Sequence, residues 1–358
     1  MYYCLEESIV KDIFELANTT TTDVTAITPK VISATIEEIA RAKRVFAQFY
    51  KENRDLMNTG GTQVEFPKKG SGVVVQTGLS AGSTLDTGKI TYDATTIAIQ
   101  KSGIGIGFNG EALRQVRRDI IRDAIQEAGE AWADSRDTLA LEAMFPTVNI
   151  VASGASTITA TGTIIIGIKS TIGSVSSVII DTNSAVVFGS AGTVTAWYIP
   201  TTAGARTLSA VGGSLSPKDI LAGRTSIVSY NYDPDVMIIN PKRLADILYD
   251  PAVNFVQSWA YRGEGPAVNG EIGQIWGMKV VVTNKCPIYG VIMLDSENLG
   301  YNVKRLELEL KKDEYSGMKT DSLYFWGFAE ENFGVVNDRA YGAVAVKGTF
   351  VPEVNSTR

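Results

Sequence analysis

Histidine is absent from all 358 residues of the chain. That one absence removes the commonest general base, the usual serine and cysteine triads, and most zinc sites. Cysteine is nearly as scarce. Cys4 and Cys286 lie far apart without CxxC spacing, and read as unpaired small hydrophobes in a reducing compartment. No apolar run approaches the roughly 18 residues that a membrane helix needs. The opening MYYCLEES carries acids where a secretory leader has a basic segment, so the chain reads as soluble and intracellular when made. Basic residues are outnumbered, giving a net charge of -6. That argues against a general grip on nucleic acid or an anionic membrane, while leaving room for a container whose wall must not stick to DNA. No enzymatic activity, metal or cofactor is expected.

What is present is a junction. A glycine-rich, alternating stretch from Thr62 to Phe108 feeds a single charged helix, Glu111 to Phe145. Such a helix has about 35 residues and is roughly 50 Å long at 1.5 Å per residue. Val64, Phe66 and Val73 to Val75 alternate on one limb of the stretch, and Ile97, Ile99, Ile104, Ile106 and Phe108 on the other. Between them lies a turn-rich tip, Gly78 to Gly88. Period two marks an extended hairpin, two ordinary strands of a local sheet being the alternative. An isolated hairpin is marginal in water, so both segments point to a subunit completed by its neighbours.

Around the junction, Tyr2 to Ala17 has the spacing of a short amphipathic helix. Ser33 to Leu56 reads as a second helix, with Thr35 and Glu38 as its capping box. On the long helix, Leu113, Val116, Ile120, Ala124, Ala128, Ala131 and Leu139 form a thin apolar line, which predicts packing on one side and water on the other. From Thr147 to Ser216 the only charged residues are Lys169, Asp181 and Arg206. Short β-branched runs between Gly and Ser turns predict a small all-β unit there, placed as an insertion that could be replaced by a linker. Ser216-Pro217-Lys218-Asp219 starts a helix. Strands are predicted at Asp235 to Asn240, Met278 to Thr283, Val291 to Leu294, Leu306 to Leu310, Ser322 to Phe328 and Ala343 to Val346, with a helix at Lys242 to Leu248. The overall class is α+β.

Three motifs invite chemistry. Gly105-Ile106-Gly107-Phe108-Asn109-Gly110 matches the dinucleotide fingerprint GxGxxG. The glycines alternate with Ile104, Ile106 and Phe108, however, and the acid expected about 20 residues on would fall inside the long helix. They read as the bare face of a strand. The acidic pairs Asp119/Asp123 and Glu127/Glu130, set among arginines, read as a solvated helix face. Tyr324, Trp326 and Phe328, at period two, read as a core stripe.

The order of parts resembles the major capsid proteins of tailed viruses, of the Hong Kong 97 type. The likeness is carried by Gly103 to Phe145, by Asp233 to Pro241 (DPDVMIINP) and by Gly273 to Thr283 (GQIWGMKVVVT). Val291 to Tyr301 (VIMLDSENLGY) and Trp326 to Val346 complete it. The resemblance implies an N-terminal arm (1–61), an extended loop (62–108) and the spine helix of a peripheral domain (109–146). It further implies an inserted β domain (147–215), an axial α/β domain (216–300) and a return to the peripheral strands (301–358). The loop would lie over a neighbouring copy, which makes Lys68, Lys69, Leu79, Leu85, Asp86 and Lys89 the candidate inter-subunit contacts. Some relatives cross-link a loop lysine to a neighbour's asparagine; Lys68, Lys69 or Lys89 with Asn332 or Asn337 would be the pairs here, without a local motif for the chemistry. The implied partners are the chain itself, in pentamers and hexamers, together with portal and scaffold proteins. The implied shell encloses double-stranded DNA without reading its sequence, forms in the host cytoplasm and ends in the virion. A cellular nanocompartment of the encapsulin type is the alternative.

Overall fold

The computed structural model describes residues 29–57, 59–69, 77, 90–109, 120–181, 183–200, 207–210, 214–249, 274–313 and 322–351. The expected helix at Tyr2 to Ala17 and the tip Gly78 to Gly88 lie outside them, apart from its surroundings at residues 77 and 90.

In chain order, helix α1 (Pro29–Lys43) is followed by a short turn and by β1 (Lys51–Asn53), β2 (Gln63–Lys69), β3 (Tyr92–Ala98) and β4 (Gln100–Asn109). The long helix α2 (Ile120–Met144) leads into β5 (Thr147–Ala152), β6 (Ser156–Ala160), β7 (Thr163–Ile172), β8 (Val175–Ile180), β9 (Ser184–Phe188), β10 (Gly192–Pro200) and β11 (Thr207–Ala210). Then come α3 (Pro217–Val228), β12 (Val236–Ile239), α4 (Pro241–Tyr249), β13 (Gln274–Ile275), β14 (Met278–Val282) and β15 (Gly290–Leu294). The chain closes with β16 (Gly300–Asp313), β17 (Ser322–Val335), β18 (Tyr341–Val346) and β19 (Gly348–Phe350).

The long-helix lobe is a sheet of order β1-β16-β17-β4 with α1 and α2 on its inner face. Ile36 and Ala40 of α1 and Ala128, Trp132 and Ala133 of α2 share a core with Ile106, Leu308, Leu310, Phe325 and Ala329. The helices approach closely at Gly129, where a Cβ would sit 2.7 Å from Ile39 Cγ2. The buried line of α2 is therefore Ala128, Trp132, Ala133, Arg136, Asp137, Ala140, Leu141 and Met144. Ala131, placed on the apolar line by its spacing, is exposed. The true line includes two charged residues, which a hydrophobicity pattern rejects.

Helix α1 ends at Lys43, not at Leu56. The cause is distant in sequence. The carboxylate of Asp137 accepts the backbone N–H groups of Val45 (3.0 Å), Phe46 (2.9 Å) and Ala47 (3.1 Å). Those groups would otherwise bond back into the helix. The capture turns the chain, buries Phe46 and leaves Thr35 and Glu38 inside the helix instead of at its cap.

The α/β lobe is a six-stranded sheet of order β11-β18-β15-β12-β14-β13, covered on one face by α3 and α4. Met237, Ile239, Met293 and Val344 meet Ile220, Ile227 and Ile247 there. A capping box of Ser216 and Asp219 opens α3, where the sequence predicts a helix start, and the predicted strand β12 is buried along its whole length. The opposite face, with Val236, Ile238, Ile292, Leu294, Ala343 and Ala345, shares one continuous core with the β unit of residues 147–200. That unit contributes Ile150, Ile165, Ile166, Ile168, Val194, Trp197 and Ile199. It consists of the sheets β5-β10-β7 and β19-β8-β9-β6. The composition rightly predicted an all-β unit, but not one that stands alone. Its second sheet is completed by β19 from the end of the chain, and Tyr289 N–H donates to the Ile166 carbonyl at 2.9 Å. This shared core argues against replacing the unit by a linker.

Candidate functional site

The junction separates into two parts. β2 pairs antiparallel with β3, from Gln63 opposite Ala98 to Lys69 opposite Tyr92, which makes the expected hairpin. The return limb then breaks at Ile99, whose N–H donates to the Thr62 carbonyl at 2.9 Å. Beyond it, β4 pairs antiparallel with β17. Ile104 and Ile106 thus belong to the inner face of the long-helix sheet and not to the hairpin. Asn109, part of the GxGxxG match, is the last residue of β4.

The hairpin base is fixed. Ile97 packs with Leu56 and Val303, flanked by Val64, Phe66 and Tyr301. The Phe66 and Tyr301 rings stack at 4.6 Å. Asn332 Nδ2 donates to the Ala98 carbonyl at 2.8 Å. Away from the base, Ile90 and Tyr92 are 44% and 71% exposed. Lys69 is exposed and Lys68 half-buried at the same end. Leu79, Leu85, Asp86 and Lys89 fall outside the described residues. Asn332 and Asn337 both spend their amides within the chain, the latter on the Asn298 carbonyl at 2.7 Å.

The outer face of the long-helix sheet is a second exposed surface. Phe325, Gly327 and Ala329 of β17 point inward, so Tyr324, Trp326 and Phe328 point out. Trp326 is 44% and Phe328 38% exposed, which corrects their reading as a core stripe. Period two places three residues on one face without saying which face is wet. The rings lie over the bare glycines of β4. A Cβ on Gly105 would be 2.8 Å from the Trp326 ring and one on Gly107 2.9 Å from the Tyr324 ring. The glycines of the GxGxxG match therefore make room for an aromatic ledge, an arrangement also used to cover glycines at sheet edges. Lys101 Nζ lies 4.6 Å above the Phe328 ring. Glu309 and Lys311 of β16 stand across from Phe328 and Trp326.

Behind the ledge, buried charges join the helices to the sheet. Arg136 of α2 pairs with Glu331 of β17, and Arg44 with Glu37 at 2.7 Å. Lys304 reaches Glu52 at 2.5 Å. Lys285, from the loop before β15, bridges Asp134 at 2.8 Å and Asp137 at 2.7 Å, linking the two lobes. Burial pushes the Arg136 guanidinium down to about 9, so it is still charged at neutral pH. Burial alone would raise the Glu37 carboxyl. The charge and hydrogen bond of Arg44, with Arg136 and Lys304 behind it, outweigh burial and hold it below its usual value. A depressed carboxyl stabilises the fold above its unfolded pKa and loses that contribution as pH falls through the folded value. Glu37→Gln is accordingly expected to lower the melting temperature at pH 6–8, with the gap to the parent chain closing below about pH 4. A gap that persists in acid would show that Glu37 acts through packing. Burial pushes the Cys286 thiol upward, which keeps it an unreactive hydrophobe.

No family model matches the chain, and no curated protein matches it. Solved structures do. The capsid structure of the cyanophage P-SCSP1u is similar over 85% of this chain and 88% of its own, with a TM-score of 0.56 at 14% identity. The capsid asymmetric unit of cyanophage Pam1 gives 0.57 at 9% identity, covering 84% and 89%. The mature capsid of bacteriophage PhiM1 gives 0.52 at 10%, covering 85% and 87%. The chain has the fold of these phage capsid structures.

Proposed function

We propose that the chain is a structural shell protein, the major capsid subunit of a tailed double-stranded-DNA virus with the Hong Kong 97-type fold. Residues 1–61 are then the arm, 62–108 the loop region and 109–146 the spine helix. Residues 147–215 are the β unit, whose last strand β11 joins the axial sheet, 216–300 the axial domain and 301–358 the peripheral return, from which β18 joins the axial sheet and β19 the β unit. Copies associate as pentamers and hexamers in the host cytoplasm and close around packaged DNA in the virion, with portal and scaffold proteins as further partners. The role is not enzymatic. An acidic wall suits it, since counterion release would otherwise hold the phosphates to the shell.

The hairpin β2–β3 carries this reading. It is pinned at its base and shows Ile90, Tyr92, Lys68 and Lys69 at its far end. The aromatic ledge with Glu309 beside it offers a neighbouring copy both apolar contact and opposite charge. The likeness to phage capsids favours a viral shell over a cellular compartment.

Negative-stain microscopy of the purified protein tests the class, uniform closed particles being expected. Deleting Gly78 to Gly88, or replacing Trp326 and Phe328 together by serine, is expected to leave folded, soluble subunits with at least a tenfold lower yield of particles. Trp326 and Phe328 face solvent, so unfolding of the serine variant would argue against the surface role. Normal particles from both variants would remove the hairpin and the ledge from the assembly.

A further inference from the structure

The six-stranded sheet carries an unusual turn at one edge. β13 and β14 are joined through Trp276 and Gly277, between the paired residues Ile275 and Met278. Both turn residues have positive φ, +48° and +81°. A two-residue hairpin of this hand favours Asn-Gly, because a bulky side chain is poorly tolerated there. Trp276 is nonetheless the residue present, and it is 40% exposed. Neither the backbone nor burial accounts for a tryptophan at this position, and such outliers cluster at functional surfaces.

A complementary surface lies at the other end of the same sheet. Helix α3 packs on β11, β18 and β15 through Ile220, Gly223 and Ile227. Its opposite side presents Leu221, Thr225 and Val228, at the i, i+4 and i+7 spacing of one helix face. Leu221 is 42% and Val228 40% exposed. Even β15, the nearest strand beneath α3, is three strand spacings from β13, about 14 Å, so Trp276 cannot reach this face within its own chain. The charges match as well. Exposed Lys279 stands beside the turn, and the side chain of Asp233, 85% exposed, stands beside α3 on Arg224.

We infer that Trp276 of one copy packs against the Leu221–Val228 face of α3 on the next copy, with Lys279 facing Asp233, and that the contact repeats head to tail around a ring. Two different patches at opposite ends of one sheet make a heterologous contact, which closes into a ring when the rotation allows. This rests on the shell reading for its setting, since it names the surface through which copies meet within a capsomer. It also stands as a ring contact in its own right.

Trp276→Asn is the direct test, because Asn-Gly suits the turn and the fold should survive. The expected result is an unchanged or slightly raised melting temperature, with the protein concentration needed for assembly raised at least tenfold. A second arm places Cys at 276 and 228 together in a Cys4→Ser background and adds a short bismaleimide. A ladder of covalent oligomers ending at the ring size is expected from the double variant and from neither single one. Dimers from Trp276→Cys alone would mean that the turn meets its own copy, and would overturn the inference. Normal particles without a ladder would remove the ring contact and keep the shell reading. A ladder from a chain that never forms closed particles would keep the ring and remove the shell. Neither particles nor ladder would remove both.

Discussion

A chain in which residues 148–213 are replaced by a short Gly-Ser linker is expected to be insoluble and unfolded. The replaced unit covers one face of the six-stranded sheet, and its loss uncovers Val236, Ile238, Ile292 and Leu294 together with Ala343 and Ala345. Exposing the four large aliphatic side chains costs about 1.5–3 kcal/mol each. The sum, roughly 6–12 kcal/mol, rivals the total stability of a typical domain, about 5–15 kcal/mol. β19 would lose its partner β8 as well. A milder probe of the same core is Trp197→Ala. Trp197 is fully buried, and truncating a buried aromatic of that size costs about 3–5 kcal/mol. Solubility and circular dichroism of the linker variant decide the matter. A folded, assembling product would show that the shared core is dispensable.

Asp137→Ala is expected to lower stability by about 4 kcal/mol, at the upper end for a single substitution. The carboxylate accepts three backbone N–H groups at the end of α1 and the ammonium of Lys285. Each donor left unsatisfied in a buried site costs about 1–3 kcal/mol. Burial lowers the tendency of Lys285 to hold its proton, but its bonds and charge contacts with Asp134 and Asp137 raise it above the ordinary value. A raised ammonium contributes stability below its unfolded pKa and loses it as pH rises through the folded value. Asp137→Asn keeps one acceptor oxygen and should cost roughly half as much. Urea unfolding of the two variants against the parent measures both numbers. Equal costs for Ala and Asn would assign the effect to the charge on Lys285 and not to the backbone groups.

The sequence was most informative where the deciding forces are local. Alternation of Val64 and Phe66 on one limb and from Ile97 on the other marks a hairpin, and Val64 stands opposite Ile97 where β2 and β3 pair. The capping box at Ser216 satisfies its own backbone groups. The run Val236 to Ile239 is apolar on both faces and can only be a central strand. The glycines before α2 were legible as a bare strand face, since their alternation with isoleucine excludes a phosphate loop. Failures came where a partner far along the chain decides. The end of α1 depends on Asp137, about 90 residues away, which no window of local sequence contains. The return limb divides at Ile99 because β17 claims β4.

The base of the hairpin, the long helix over its described residues Ile120–Met144 and the succession of strands along the chain were thus legible in the sequence alone, because period, turn chemistry and capping act over a few residues. The tertiary structure decided which face of β17 is wet, whether the β unit could stand alone, and that a tryptophan occupies a turn suited to asparagine. Those outcomes depend on which surfaces are left after packing, and a linear pattern does not carry that information.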